Sequence, residues 1–251
     1  MEHTADHTCP ICGTPADLYD VVDFNKNCME GAGVHLPLSG VPIYYRRCGA
    51  CEYTWAPEFS GWGDEDFLNH IYNEDYVRVD PDYLTARPKS NASIVEQLFG
   101  QHREQIRHLD YGGGNGGLSA ILKQLGWDST SYDPFPGDGQ TVESLGQFNL
   151  ITSFEVFEHV PDPNVLMANL RPLMGEECLV LFSTMASDGN IPPNGRLNWW
   201  YASPRNGHIS LFSLRSLGLL AEKNGLGFRT FNGATHCFFT TLPSWAGVAK
   251  T

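Results

Sequence analysis

Long apolar runs are missing from this sequence: none approaches the roughly 20 consecutive residues that a membrane-spanning helix requires. Positive charge is scarce as well. The chain carries 16 lysines and arginines against 29 aspartates and glutamates, a formal net charge of −13. A phosphate backbone or an anionic lipid surface must be met by clustered positive charge, so neither nucleic acid nor a membrane is expected as a partner. The opening stretch MEHTADHTCPICG lacks the basic-then-apolar layout of a secretory signal, and a cytoplasmic protein is expected. Internal repeats and low-complexity tracts are absent too. What remains is ordinary for a folded chain. Of 251 residues, 41% are hydrophobic and 12% aromatic, enough for one sizeable domain plus a small accessory module.

Seven cysteines in a reducing compartment are ligands or buried thiols before they are disulfides. Cys9-Pro-Ile-Cys12-Gly and Cys48-Gly-Ala-Cys51 are two C-x-x-C pairs, each a tight turn that can aim two thiolates at one ion. Together they predict a closed structural zinc site of four sulfurs. The stretch between them is longer than a compact ribbon's usual 15 to 20 or so residues, so a loop must bulge around GAGVHLPLSG. Cys28, Cys178 and Cys237 have no such partners and are expected in loops or core.

Three regions follow. Residues 1–57 form the zinc-ribbon-like module, and 58–89 a linker of short helices and loops interrupted by Pro81 and Pro88. Tyr72, Tyr76 and Tyr83 in that linker either line a cleft or seal a core. From residue 90 strands and helices alternate: NASIVEQLFG helical, capped by Asn91 or Ser93 and stopped by Gly100; IRHLDY a strand; LSAILKQLG a helix; STSYDPF and FNLITSFE strands; PNVLMANLRPLM a helix; ECLVLFST a buried strand; LRSLGLLAEKNG a helix. Asn232-Gly233 lies between two apolar-aromatic runs and predicts a hairpin. The pattern is α/β, a doubly wound and mostly parallel sheet whose closing hairpin adds an antiparallel strand at one edge.

HLDYGGGNGGLSAIL puts a glycine cluster between a strand and a helix, where backbone can approach a ligand and helix N–H groups stand free. Gly112, Gly114 and Gly117 satisfy the dinucleotide pattern G-x-G-x-x-G. Asp110, Gly112, Gly114 and Gly116 equally satisfy [DE]-x-G-x-G-x-G, which marks S-adenosylmethionine binding. Asp133, ending the next strand, suits the ribose of either cofactor. Asp110 tips the balance, because a carboxylate there suits a cationic amino-acid group and would sit awkwardly beside a pyrophosphate.

LDYGGGNGG, then YDPF, then FNLITSFEVFEHVPDP together resemble the class I S-adenosylmethionine-dependent methyltransferases. The front end, with YYRRCGACEYTWAP, is similar to zinc-ribbon modules on methyltransferases of polysaccharide and natural-product pathways. The resemblance implies a Rossmann-like sheet of the seven-stranded type. It also implies that Asp110, Gly112, Gly114 and Gly116 hold the methionine and ribose portion of S-adenosylmethionine, that Asp133 takes the ribose hydroxyls, and that Phe154 joins the cofactor-binding set. One departure stands out: PFPGDGQTVESLGQF leaves so little chain between the second and fourth strands that the third strand and its helix must be minimal.

SFEVFEHV ends a strand at the side of a doubly wound sheet where ligands sit. Three uses of Glu155, Glu158 and His159 stay open: capping the next helix, general-base catalysis by the imidazole, or a catalytic divalent cation. The last follows from a resemblance to ubiquinone-pathway O-methyltransferases and small-RNA 2′-O-methyltransferases, in which a later histidine completes the set; His208 stands in that place. In NGRLNWWYASPRNGH, Trp199, Trp200 and Tyr201 either roof an acceptor site, with Arg196 or Arg205 addressing an anionic group, or pack as a lid. His236 is expected to be a sheet residue. The resulting expectation is methyl transfer to a small-molecule acceptor, a hydroxyl of a sugar, sugar nucleotide or secondary metabolite. An NAD(P)-dependent oxidoreductase and a non-catalytic S-adenosylmethionine-binding protein are the alternatives. Oligomeric state is not legible.

Overall fold

The computed structural model describes residues 8–135 and 141–246. The first seven residues, on which the reading of the leader partly rests, and five residues of the shortened crossover lie outside the described residues. In chain order the strands are β1 (Ala16–Asp23), β2 (Pro42–Cys48), β3 (Thr54–Trp55), β4 (Arg107–Tyr111), β5 (Asp128–Tyr132), β6 (Phe148–Phe154), β7 (Met174–Ser183), β8 (Ser210–Leu211), β9 (Gly227–Thr230) and β10 (Thr235–Phe239). The α-helices are α1 (Asp64–His70), α2 (Tyr76–Val79), α3 (Ala86–Phe99), α4 (Gly117–Gln124), α5 (Val142–Leu145), α6 (Pro163–Leu170) and α7 (Leu214–Lys223). The chain divides into two compact units, each assembled from three stretches: Met1–Asp80, Phe157–Leu166 and Thr184–Leu220 in the first; Pro81–Val156, Met167–Ser183 and Ala221–Thr251 in the second.

The second unit carries a six-stranded sheet in the order β5-β4-β6-β7-β10-β9. The first four strands are parallel, with Leu109 beside Ile151 and Ile151 beside Val180. The apolar runs of β6 and β7 match a sheet covered on both faces: Leu150, Ile151, Val180 and Leu181 are buried, as is Leu109 of β4. One face is filled by Ala92, Val95 and Phe99 of α3 and Leu118 and Leu122 of α4, together with Trp127 and Trp245. Each valine, leucine or phenylalanine side chain among these contributes roughly 1.5–3 kcal/mol by leaving water. Among the described residues this sheet has six strands rather than the seven of the implied type. The single turn α5 occupies the short stretch before β6, as the shortness of that stretch requires.

Two local expectations shift. Helix α3 begins at Ala86, not near Asn91, because Pro88 falls in its first turn, where a missing N–H is no loss. The antiparallel strand β10 also lies one place in from the edge, between β7 and β9. The hairpin joining β9 to β10 forms as expected but without the left-handed glycine of a two-residue turn. Instead the Asn232 side-chain oxygen accepts from the amides of Ala234 and Thr235, both at 2.8 Å.

The first unit holds an antiparallel sheet in the order β1-β2-β3-β8. Strand β8, not expected from the sequence, closes it by pairing Thr54 with Leu211. Tyr45 and Tyr53 are fully buried beneath it, and each hydroxyl finds a partner: Tyr45 donates to the His208 carbonyl at 2.7 Å, and Tyr53 bonds Ser210 Oγ at 2.7 Å.

Candidate functional site

The four paired cysteines converge in the first unit. Cys9 Sγ lies 3.5 Å from Cys51 Sγ and Cys12 Sγ lies 3.4 Å from Cys48 Sγ, and the four sulfurs all fall within 4.8 Å of one another. Sulfurs about 2.3 Å from one tetrahedral ion would be spaced in this way. The two turns are built alike. Gly13 N–H donates to the Cys9 carbonyl and Glu52 N–H to the Cys48 carbonyl, both at 2.9 Å. The residue after each second cysteine has positive φ, 75° at Gly13 and 64° at Glu52. Repetition of a strained conformation at a non-glycine residue marks both turns as held by the same requirement. Of the remaining cysteines, Cys178 and Cys237 are core residues of β7 and β10, and Cys28 begins a short 3-10 turn.

In the second unit, the chain leaves β4 through a turn in which Gly112, Gly114 and Gly116 all have positive φ, which favours glycine. Side chains are excluded by space too. A Cβ at residue 112 would stand 2.4 Å from Val156 Cγ2, and one at 113 would stand 2.2 Å from Ser131 Oγ and 2.7 Å from Asp110 Oδ2. Asp133 braces the turn: its Oδ2 accepts from Gly114 N–H at 2.7 Å and its Oδ1 from Phe135 N–H at 2.9 Å. Asp110 is buried, and burial raises its carboxyl to about 7; the Thr152 hydroxyl at 2.9 Å opposes that rise, and the Asp133 charge adds to it. Phe154 ends β6, half-buried and packed against the core of α3 and α4. Glu155 follows with φ 55°, pinned to β7 by a pair of bonds: its N–H donates to Ser183 Oγ at 2.9 Å, and that hydroxyl donates to its Oε1 at 2.7 Å.

Between Val156 and Phe157 the chain passes into the first unit. There Glu158, His159 and His208 bring their ligating atoms within 4.8 Å of one another, and Glu155 is not part of that cluster. Glu158 is fully buried and accepts from the Tyr201 hydroxyl at 2.5 Å. Half-buried His159 places Nδ1 3.2 Å from the Tyr72 hydroxyl and its ring centroid 4.9 Å from that of His208. His208 Nδ1 lies 2.8 Å from the Tyr201 carbonyl and 3.6 Å from Cys28 Sγ. Tyr201 thus touches both Glu158 and His208. Trp199 is buried beside Tyr201, whereas Trp200 is 48% exposed. Arg205, also buried, donates to the Ile71 carbonyl at 2.7 Å and to Asn73 Oδ1 at 2.9 Å, and helps line a cavity of about 300 Å³ with Phe24, Asn25, Asn69 and Arg78. Arg196 stays at the surface, paired with Asp20 at 3.1 Å. His236 is a buried member of β10, bonded to Thr230 Oγ1.

A family model described as a methyltransferase domain matches residues 83–229, more than half of the chain. This chain belongs to that family. The methyltransferase domain so matched contains the glycine turn, both histidines of the cluster and the whole parallel part of the sheet. A ubiquinone biosynthesis O-methyltransferase of Bordetella avium is 30% identical over 114 residues, covering 36% of this chain and 47% of that protein. The chain thus spans about half the length of the curated relative it matches. Among solved structures, a 1,6-didemethyltoxoflavin-N1-methyltransferase of Burkholderia thailandensis aligns with a TM-score of 0.49 at 16% identity, covering 82% of this chain and 96% of the other. An O-methyltransferase family protein from the same organism aligns at 0.48 and 12% identity, covering 75% and 71%.

The buried polar chain behind Asp110, formed by Thr152, His108, Ser129 and Ser119, was not anticipated from the sequence. A signal existed: His108 and Asp110 are two apart on one strand and so share a face.

Proposed function

We propose that this chain is an S-adenosylmethionine-dependent methyltransferase acting on a hydroxyl of a small molecule, with a sugar, sugar nucleotide or secondary metabolite as acceptor. The observation that carries the reading is the turn after β4. Three glycines with left-handed backbone shape the turn, positions 112 and 113 leave no room for a side chain where backbone must approach a ligand, and the two carboxylates Asp110 and Asp133 flank them. The donor set fits the group. Asp110 offers a carboxylate to a cationic amino-acid end, and Asp133 offers one to ribose hydroxyls. When bound, S-adenosylmethionine supplies a methyl on a sulfonium centre, whose departure as a neutral thioether makes it a good leaving group.

The protein's own contributions are alignment and proton removal. Asp110, Gly112, Gly114, Gly116, Asp133 and Phe154 are assigned to holding the donor. A hydroxyl acceptor must lose its proton as the new oxygen–carbon bond forms, and His159 is assigned as the base, with Tyr72 at its Nδ1 orienting the ring. His208 and Glu158, both tied to Tyr201, are assigned to fixing that imidazole and the acceptor. A second reading places a divalent cation on Glu158, His159 and His208. Their mutual approach supports it, and two imidazoles beside one carboxylate suit Mn²⁺ or Zn²⁺ better than Mg²⁺. Trp199, Trp200 and Tyr201 are assigned to covering the acceptor and Arg205 to its polar end. The four cysteines are assigned to structural zinc, in a module spanning 1–57.

Calorimetric titration with S-adenosylhomocysteine, against NADH as comparison ligand, tests the donor assignment. Micromolar binding of S-adenosylhomocysteine alone is expected. Binding of NADH alone would overturn the methyltransferase reading in favour of a dinucleotide enzyme.

A further inference from the structure

Behind Asp110 a line of four polar side chains runs across the sheet of the second unit to helix α4. Thr152 Oγ1 is 2.9 Å from Asp110 Oδ1 and 2.9 Å from His108 Nε2. On the other side of the ring, His108 Nδ1 is 2.8 Å from Ser129 Oγ, which is 2.8 Å from Ser119 Oγ. The register explains the meeting: Asp110 pairs with Thr152 across β4 and β6, and His108 pairs with Ser129 across β4 and β5. These four and Asp110 are all at least 96% buried, and the edge of Trp127 closes on the imidazole. Buried polar groups in such a place must be satisfied by one another.

With Asp110 ionised, the chemistry of the ends fixes the direction of every bond. A carboxylate only accepts, so the Thr152 hydroxyl donates to Asp110. Its oxygen is then the acceptor for His108 Nε2–H, which leaves Nδ1 to accept from Ser129, whose oxygen accepts in turn from Ser119. While Asp110 is ionised, protonation of the ring does not disturb this arrangement, since burial holds His108 down to about 3 and the imidazole stays neutral. The outcome is a row of dipoles all pointing positive end first at Asp110 Oδ1. The other oxygen, Oδ2, has no hydrogen-bond partner among the described residues and lies where a Cβ on Gly113 would be 2.7 Å away. A buried carboxylate with one oxygen held and one open is prepared for a donor that arrives with a ligand.

We infer that His108 is a positioning residue which, through Thr152, holds Asp110 as an oriented hydrogen-bond acceptor for the ammonium group of the methyl donor. The inference rests on the donor-site reading above. It assigns a function to the four side chains behind the carboxylate, and it explains why a strand inside the sheet carries a histidine. The charged group acting on Asp110 is Asp133, which opposes ionisation, and no lysine or arginine among the described residues acts to favour it. Favouring the carboxylate therefore falls to the hydroxyl and the imidazole behind it.

The test is calorimetric binding of S-adenosylhomocysteine, which keeps the ammonium group, and of 5′-methylthioadenosine, which lacks it, between about pH 6 and 8.5, a window that brackets the Asp110 titration. The proteins are wild type, His108→Leu, His108→Gln and Thr152→Val. Gln keeps an N–H for Thr152, and Val keeps the shape of Thr152, so Thr152→Val carries the test if His108→Leu fails to fold. In the wild type, S-adenosylhomocysteine affinity should fall as pH drops through about 7, and 5′-methylthioadenosine affinity should not. In His108→Leu and Thr152→Val the midpoint should move upward by about one pH unit, weakening S-adenosylhomocysteine roughly tenfold near neutrality, with most of the loss recovered at the alkaline end. His108→Gln should restore most of the wild-type profile. Equal weakening of both ligands at every pH, or an unchanged midpoint, would overturn the inference. If the wild type binds neither ligand, the donor-site reading itself falls and this inference falls with it.

Discussion

The two units build their polar clusters in opposite ways. In the second, Asp110, Thr152, His108 and Ser129 sit at paired positions of adjacent parallel strands, so the ladder that makes the sheet also sets their distances. In the first, the cysteine cluster hangs on two turns, and the Glu158–His159–His208 cluster on a 3-10 turn and the end of a loop. Strand register costs nothing extra to maintain, because moving one residue would flip a whole face. Turns need their own fastenings. Here these are the repeated carbonyl bonds at Gly13 and Glu52, the Tyr201 bridge between Glu158 and His208, and the Lys26 ammonium donating to the carbonyls of Trp199 and Ala202. The lesson is that the first unit should depend on a bound ion and the second should not.

Removing one sulfur gives the largest effect. Cys48→Ser should strip the metal and cost the first unit its cooperative unfolding, since structural zinc supplies on the order of 10 kcal/mol in small domains. Metal analysis of the purified protein, with near- and far-ultraviolet circular dichroism before and after chelation, checks this. If the four cysteines carry no metal and chelation leaves the melting curve in place, the contrast between the units disappears.

A smaller effect should appear in the second unit, with the opposite sign. The Asp110 carboxyl is raised to about 7 in the folded chain, against roughly 3.9 when unfolded. Between those values the folded form holds a proton that the unfolded form has lost. Stability from this group is therefore full below the unfolded value and is lost as pH rises through about 7. Asp110→Asn removes that loss. At pH 8 and without ligand the variant should melt a few degrees higher than wild type, at about 2–4 °C per kcal/mol for a chain of this size, while binding S-adenosylhomocysteine more weakly. His108 acts in the acid range: held near 3 in the fold, it removes stability as pH falls below its unfolded value of roughly 6.5. A lower melting temperature for Asp110→Asn at pH 8 would mean that the carboxylate is held by something other than the hydroxyl of Thr152.

How legible all this was depended on whether the cause was local. The glycine turn, Asp133 and the paired cysteines were visible because each constraint sits within a few residues: a left-handed backbone, a strand end, a two-residue spacing. The meeting of Glu158 with His208 came from resemblance rather than spacing, and Tyr201 as the link between them had no sequence signal, since Trp199 and Tyr201 turn inward while Trp200 turns out. Strand β8 is two residues long, too short for any periodicity, and exists because β3 offers it an edge. The start of α3 was hidden by Pro88, which reads as a breaker until its place in the first turn is known. The line behind Asp110 was half visible: the shared face of His108 and Asp110 follows from strand alternation, but Thr152 and Ser129 join only once the register is fixed.

The claim that the two polar clusters divide the work, one holding the donor and the other serving the acceptor, is tested most directly by S-adenosylhomocysteine affinity in two variants measured together. Asp133→Ala removes the carboxylate bonded to Gly114 and Phe135 and should weaken binding tenfold or more, as expected for roughly 1.5–3 kcal/mol in a charged hydrogen bond. His208→Ala should leave that affinity within about twofold of wild type, because its partners are Tyr201 and Cys28 of the other cluster. Unchanged binding in Asp133→Ala, or a loss in His208→Ala as large as that in Asp133→Ala, would contradict the account.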